Sequence, residues 1–278
     1  MRLALVLLLA TGCKQVLGLD DTKFAYKDGA IDSPSACDGA PACTSSSGRS
    51  VCGQLYQTGA SGGELLRVAA PTGATCTTTE GPCAFTVYGQ AATSFYAGSS
   101  TDRVNGTIDD CGRFVVPDLP TTAADVAVVF DATGFATSAS LVIGRMTTAG
   151  EDRGITAFPV AMTTLTDWGT QTSTTVSYGY VVTQADAMGV PQATEEVWVN
   201  GGTVSGPPAP PWSAYFSGGT AFGTVSTSAT MTDTSGTSLV VPTASGPFML
   251  GGKRTGKTCT QVMVEPVAGS MIHVTLSC

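Results

Sequence analysis

The run GGKRTGKT at residues 251–258 satisfies the spacing G-x-x-x-x-G-K-T of a phosphate-binding loop. Such a loop works between a strand and a helix, where backbone N–H groups and the helix dipole cradle phosphate. Here CTQVMVEPV follows, β-prone and interrupted by Pro266, so no helix begins. The run reads as a hairpin turn carrying Lys253, Arg254 and Lys257, and neither a nucleotide partner nor a cofactor is expected. GASGG at 59–63 matches the serine-hydrolase spacing G-x-S-x-G, but that elbow needs a strand-to-helix turn with a histidine in reach. Ser61 sits in a Gly-rich stretch between β-prone runs, and the chain holds one histidine, His273. In MIHVTLSC, Ile272, Val274 and Leu276 share one face, which places His273 on the opposite, solvated face. Carboxylates occur as the doublets Asp20–Asp21, Asp109–Asp110 and Glu195–Glu196. Adjacent residues on a strand point to opposite faces, so a doublet does not build the facing pair that acid–base chemistry needs. Asp109 and Asp110 read as turn-stabilising residues, with a loop Ca²⁺ site as the alternative. No metal and no catalytic residue is assigned.

Nine cysteines carry the remaining chemistry. Cys13 closes MRLALVLLLATGC: a basic residue, a short apolar run from Leu3 to Leu9, small residues, then cysteine. That is the layout of a lipoprotein signal, cut before a cysteine that receives lipid. Ala10 and Gly12 also suit an ordinary signal peptidase, leaving a free secreted protein as the alternative. The apolar run is shorter than the roughly 20 residues of a membrane span, so a lipid anchor is expected instead. Lys14 stands where Asp commonly signals inner-membrane retention, which points to the outer membrane. Setting Cys13 aside leaves eight cysteines in an oxidising compartment, or four disulfides. The expected pairs are Cys259 with Cys278, Cys76 with Cys83, Cys52 with Cys111, and Cys37 with Cys43. No CxxC pair accompanies the single histidine, which argues against zinc.

The chain of 278 residues carries a net charge of −8, and loss of residues 1–12 with Arg2 leaves 12 basic against 21 acidic residues, or −9. Such a surface repels nucleic acid, which is not expected as a partner. Charged residues are only 12% of the chain, 34 glycines and 15 prolines punctuate it, and 42% is hydrophobic, too much for disorder throughout.

Residues 13–49 lack periodicity and read as a tether. From Ser50 the chain turns to short β-rich runs, SVCGQLY, ELLRVAA, AFTVYGQ, SFYAGSS, GRFVVPDL and VAVVFDA, separated by turn signals. GRFVVPDL ends in a Pro-containing turn that closes its strand. TTAADVAV is readable as helix or strand, and Val126, Val128 and Val129 favour strand. No long amphipathic helix stands out. A second unit starts near Thr166: VSYGYVVTQADAMGVPQATEEVWVNGG, a stiff PPAPP at 207–211, then SAYFSGG, GPFMLGG, TQVMVEPV and MIHVTLSC. The last two form a hairpin through residues 266–269 that brings Cys259 to Cys278. Trp168, Trp198, Trp212, Tyr178, Tyr180, Tyr215 and Phe216 gather in this unit. Core packing between sheets accounts for most of them; Trp212 and Tyr215, just after PPAPP, are the candidates for a glycan-stacking surface.

GRFVVPDLP, preceded by TIDDC, resembles the "TDxxGxFxxxxLP" signature of carboxypeptidase regulatory-like domains. CGQLYQTGASGGELLRV is similar to that family's opening, as is GYVVTQADAMGVPQATEEVWVNG in the second unit. GCKQVLGLDDT resembles secreted lipoproteins of myxobacteria. The resemblance implies transthyretin-like β-sandwiches that serve mostly as non-catalytic spacers or binding surfaces.

The sequence is therefore expected to be all-β: a signal peptide at 1–12, a tether at 13–49, and two tandem β-sandwich domains at 50–165 and 166–278. Its expected role is a non-catalytic structural or binding module of the cell envelope, held by lipid on Cys13 and facing a glycan or an envelope protein. A secreted glycan-active enzyme and a subunit of an envelope assembly are the alternatives.

Overall fold

The computed structural model describes residues 43, 48–56, 85–109, 112–119, 125–143, 150–185, 192, 196–199, 202–204, 212–217, 225–229, 231–232, 236–242, 245–254 and 257–278. The first half contains β1 (Arg49–Leu55), β2 (Thr86–Ala91), α1 (Ala92–Tyr96), β3 (Val104–Asn105), β4 (Thr107–Ile108), β5 (Arg113–Leu119), β6 (Val126–Asp131), β7 (Thr137–Val142) and β8 (Gly150–Ala157). Then come α2 (Met162–Thr172), β9 (Gly179–Ala185), β10 (Glu196–Val199), β11 (Gly202–Val204), β12 (Trp212–Ser217), β13 (Val225–Ser226) and β14 (Thr237–Pro242). The last are β15 (Phe248–Arg254), β16 (Lys257–Thr258), β17 (Val262–Val264) and β18 (Ser270–Ser277). The fold is all-β, built of sheets packed face to face.

A nine-stranded sheet, β13-β12-β14-β9-β18-β7-β6-β2-β3, forms the middle layer. Its two faces bury different clusters because side chains alternate along each strand. Ala127, Val129, Tyr180, Val182, Ile272 and Val274 turn to one face and meet Val197, Phe248, Leu250 and Val264 of the five-stranded sheet made by β10, β11, β15, β16 and β17. Tyr180 and Phe248 meet edge-to-face across that layer at 5.3 Å. On the other face, Val126, Val128 and Phe130 pack on Val51, Phe114 and Val116 of the four-stranded sheet β4-β5-β1-β8. Further along the same face, Val181, Leu239 and Met271 pack on Leu165 and Trp168 of α2.

The expected boundary at 165/166 falls inside α2 and divides nothing. Strands from both sides of it are hydrogen-bonded in the nine-stranded sheet, where β18 pairs in parallel with β7 and with β9. Residues 38–278 accordingly form one compact unit. The sequence shows each strand's faces locally, but which strands share a sheet is a long-range choice.

Three local expectations also need correction. SFYAGSS does not open as a strand: Phe95 and Tyr96 end the short α1, with Ala92 and Phe95 buried. The Pro117 region does not close β5, which continues to Leu119 through a bulge opposite Ser50. A bulge is where a strand tolerates a residue without an N–H. Helix α2 was hidden by its threonines, which are poor helix formers. Its hydroxyls bond back to the carbonyls four residues earlier, Thr166 to Met162 and Thr170 to Thr166, both at 3.0 Å. The helix exists because Leu165 and Trp168, one turn apart, are anchored in the core at 3% and 0% exposure. VAVVFDA, read as a strand over a helix, is β6.

Candidate functional site

The chain's one histidine lies in the middle of the middle layer. His273 sits on β18 with Ser140 of β7 directly opposite on one side and Val181 of β9 on the other. It is buried, not solvated. Ile272, Val274 and Leu276 share a face, as the alternation in MIHVTLSC predicts. The second face, however, is covered by β8 and the segment after it, so both faces are interior.

The surroundings of His273 form a polar seam between the two apolar clusters of that face. Thr183 Oγ1 and His273 Nε2 are 3.0 Å apart. The Ser140 hydroxyl donates to the Thr156 carbonyl at 3.4 Å, and the Ser138 hydroxyl to the Ala136 carbonyl at 3.0 Å while accepting from the Val160 N–H at 3.1 Å. The Phe158 ring stands edge-on to the imidazole at 5.0 Å. Burial pushes the His273 pKa down to about 4, opposed by a backbone hydrogen bond at Thr156. The ring is therefore neutral at neutral pH. Among the described residues it meets Thr183, Phe158 and the Thr156 backbone and no serine nucleophile; Ser61 lies outside the described residues.

The other singled-out residues scatter. Tyr215 is 3% exposed and packed with Trp168, Val225 and Leu239, so it is a core residue and not a stacking platform. Trp212 opens β12, paired through its backbone with Pro242. Trp168 and Tyr180 are core residues too, as the packing reading has it. GGKRTGKT forms the end of a hairpin, with Lys253 opposite Thr258 and Arg254 opposite Lys257, and no helix follows. Asp109 stabilises a turn: its carboxylate accepts from the Arg113 backbone N–H at 2.9 Å and from its Nε at 2.6 Å. Gly112, at φ 70°, supplies the left-handed step that reverses the chain there. The turn-stabilising role expected of Asp109 is thus in place, with its bonds reaching Arg113 four residues on. Asp110, Glu195, Asp20 and Asp21 lie outside the described residues. Among the described residues, no three His, Cys, Asp or Glu side chains gather where a metal would need them.

Among the described residues, two disulfides are in place. Cys259–Cys278 forms as expected, but not by a hairpin: β17 pairs with β15, and β18 enters the nine-stranded sheet. The bond thus ties the five-stranded sheet to the central one. Cys43 pairs with Cys52, which rules out the expected pairs Cys52–Cys111 and Cys37–Cys43. The Cα atoms of Cys43 and Cys52 lie 5.7 Å apart, within the range a bridge needs. Cys13, Cys37, Cys76, Cys83 and Cys111 lie outside the described residues. No described helix is long and apolar enough to cross a membrane.

Sequence reasoning missed one polar cluster, on β2 and the turn before β3. Arg103 lies over the Tyr88 ring at 4.4 Å and donates from Nε to Gln90 at 3.0 Å, and the Asp102 carboxylate accepts from the Ala91 N–H at 3.0 Å. It closes the end of the sheet and is a structural feature.

No protein-family model matches the chain, and neither does any curated protein. Among solved structures, the shaft pilin spaA from Lactobacillus rhamnosus GG aligns over 82% of this chain and 97% of its own at 13% identity, with a TM-score of 0.22. A streptococcal ancillary pilin aligns over 81% and 68% at 11% identity and a TM-score of 0.24. The Bacillus anthracis TIE protein aligns over 82% of this chain at 10% identity and a TM-score of 0.23, and the chain spans about a third of its length. Likeness at this level assigns no function.

Proposed function

We propose that the chain is an exported, non-catalytic structural module of the cell envelope, held at the membrane by lipid on Cys13 and presenting its β layers to an envelope protein or glycan. The observation that carries this reading is the two disulfides among the described residues. Cys43–Cys52 pins the segment before β1 to that strand, and Cys259–Cys278 pins the end of β18 to the opposing sheet. Bonds of this kind persist in an oxidising compartment and stiffen a chain that must hold its shape outside the cell. Burial of the sole histidine supports a role without acid–base chemistry. The resemblance of GRFVVPDLP to regulatory-like domains supports it in the same sense. With Tyr215 in the core, Trp212 is the one of the two expected stacking residues that still stands as a candidate for glycan contact.

Intact mass of the full chain extracted from membranes, before and after reduction and alkylation, tests this reading. A lipid adduct on Cys13, with the other eight cysteines alkylated only after reduction, supports it. An unmodified Cys13 in a chain found in the soluble fraction overturns the anchor, and free thiols throughout overturn the compartment.

A further inference from the structure

Strand β18 fills a slot that two earlier strands leave open. Its neighbours β7 and β9 both run parallel to it, and neither bonds to the other, so without β18 the nine-stranded sheet has a gap one strand wide. The strand brings to this gap Met271, Ile272, Val274 and Leu276, each at 1% exposure or less. It also brings His273, which meets Thr183 in one register only.

The connection that delivers β18 is short and crosses between sheets. β17 is fixed to β15 in the five-stranded sheet, and five residues, 265–269, lead to Ser270 in the central one. A single turn closes this link, with the Ser270 N–H donating to the Val267 carbonyl at 3.0 Å. Pro266 lacks an N–H and biases Glu265 towards an extended backbone, so the link can straighten without breaking a ladder bond. Straightened, five residues reach about 17 Å.

Cys259 precedes this link and Cys278 follows it. In the structure, the Thr260 N–H donates to the Ser277 carbonyl at 2.8 Å and the Cys278 N–H to the Ala185 carbonyl at 2.7 Å, holding the end of β18 where the two sulfurs meet. If β18 of one copy entered the slot of a second, every ladder bond, the His273 contact and these end contacts would be remade between copies. Cys278 of the first would then face Cys259 of the second.

We propose that β18 is exchanged between copies of this chain, and that the exchange is sealed by a Cys259–Cys278 disulfide between them. The bond forms as it does within one chain. Two thiols lose two protons and two electrons to a disulfide-bearing oxidant, which is reduced to its dithiol. Reciprocal exchange gives a closed dimer; exchange passed from copy to copy gives a covalent chain. The proposal shares with the proposed function only an oxidising compartment and does not need the lipid anchor.

The test mixes equal amounts of unlabelled and nitrogen-15-labelled full chain, reduced and unfolded, then oxidises them together with a glutathione redox pair and digests without reduction. Exchange yields a Cys259–Cys278 cross-linked peptide with one light and one heavy half, its share rising with protein concentration towards about half of that peptide. A second chain lacking Val267 and Ala268 loses the turn that returns β18 to its own slot, and its mixed share should rise at least about twofold at equal concentration. Only all-light and all-heavy peptides, in both chains, would overturn the proposal. So would mixed peptides spread evenly over all cysteine pairs, which mark random cross-linking.

Discussion

Acid should unfold this protein through one residue whose contribution can be isolated. His273 has an ordinary pKa near 6.5 once unfolded and about 4 in the folded chain. Above pH 6.5 the ring is neutral in both states and pH has no leverage through it. Between pH 6.5 and about 4 the unfolded chain binds a proton that the folded chain refuses, so stability falls as pH falls. Below about 4 the folded ring is protonated as well and the loss levels off. Worked through the linkage relation, the loss between pH 7 and pH 4.5 is about 2.5 kcal/mol, a large part of a typical domain's ~5–15 kcal/mol. The assay is urea unfolding of the native chain and of His273→Gln at both pH values. Gln cannot take the proton, so the difference between the two pH dependences cancels the carboxylates, which titrate in the same range. Native stability should fall by about 2.5 kcal/mol more than that of the variant. Because the chain holds one histidine, its ring signals in an NMR titration belong to His273 without assignment. Equal pH dependences, or a ring that titrates near 6.5 in the folded chain, would refute the reading of a sealed, neutral imidazole.

Three further outcomes follow from the packing. Tyr215→Ala should cost about 3–4 kcal/mol in denaturant unfolding while leaving any glycan binding in place, because the ring fills the cluster under α2; unchanged stability would return Tyr215 to the surface. Gly53→Ala puts a methyl group onto the Ile155 carbonyl oxygen where β1 pairs with β8, and should lower stability by about 1–3 kcal/mol, seen as a lower midpoint at an unchanged urea slope. Replacing both Cys259 and Cys278 by Ser should cost about 3 kcal/mol by freeing a loop of about 20 residues in the unfolded chain. A thermal scan that does not move would show that the hydrogen bonds at the end of β18 hold the two sheets together without the disulfide.

The sequence by itself determined the all-β class, the strand character of runs such as VAVVFDA and MIHVTLSC, and the Asp109–Gly112 turn. These depend on neighbours in the chain: β-branched residues, alternation, and a glycine where φ turns positive. It also determined that GGKRTGKT belongs to a β-hairpin, since Pro266 and the β-prone run beside it exclude the helix a phosphate loop requires. Only the tertiary structure decided which strands share a sheet. A hydrophobic face specifies that it be covered but not by what, so β18 was legible as a strand and illegible as the centre of a nine-stranded sheet. The same gap hid the boundary error at residue 166, α2, and the Cys43–Cys52 bond. Most consequentially, it hid the burial of His273. Alternation within a strand says which side chains share a face, while whether the second face meets water or another layer depends on residues over a hundred positions away, as Phe158 and Thr156 do here.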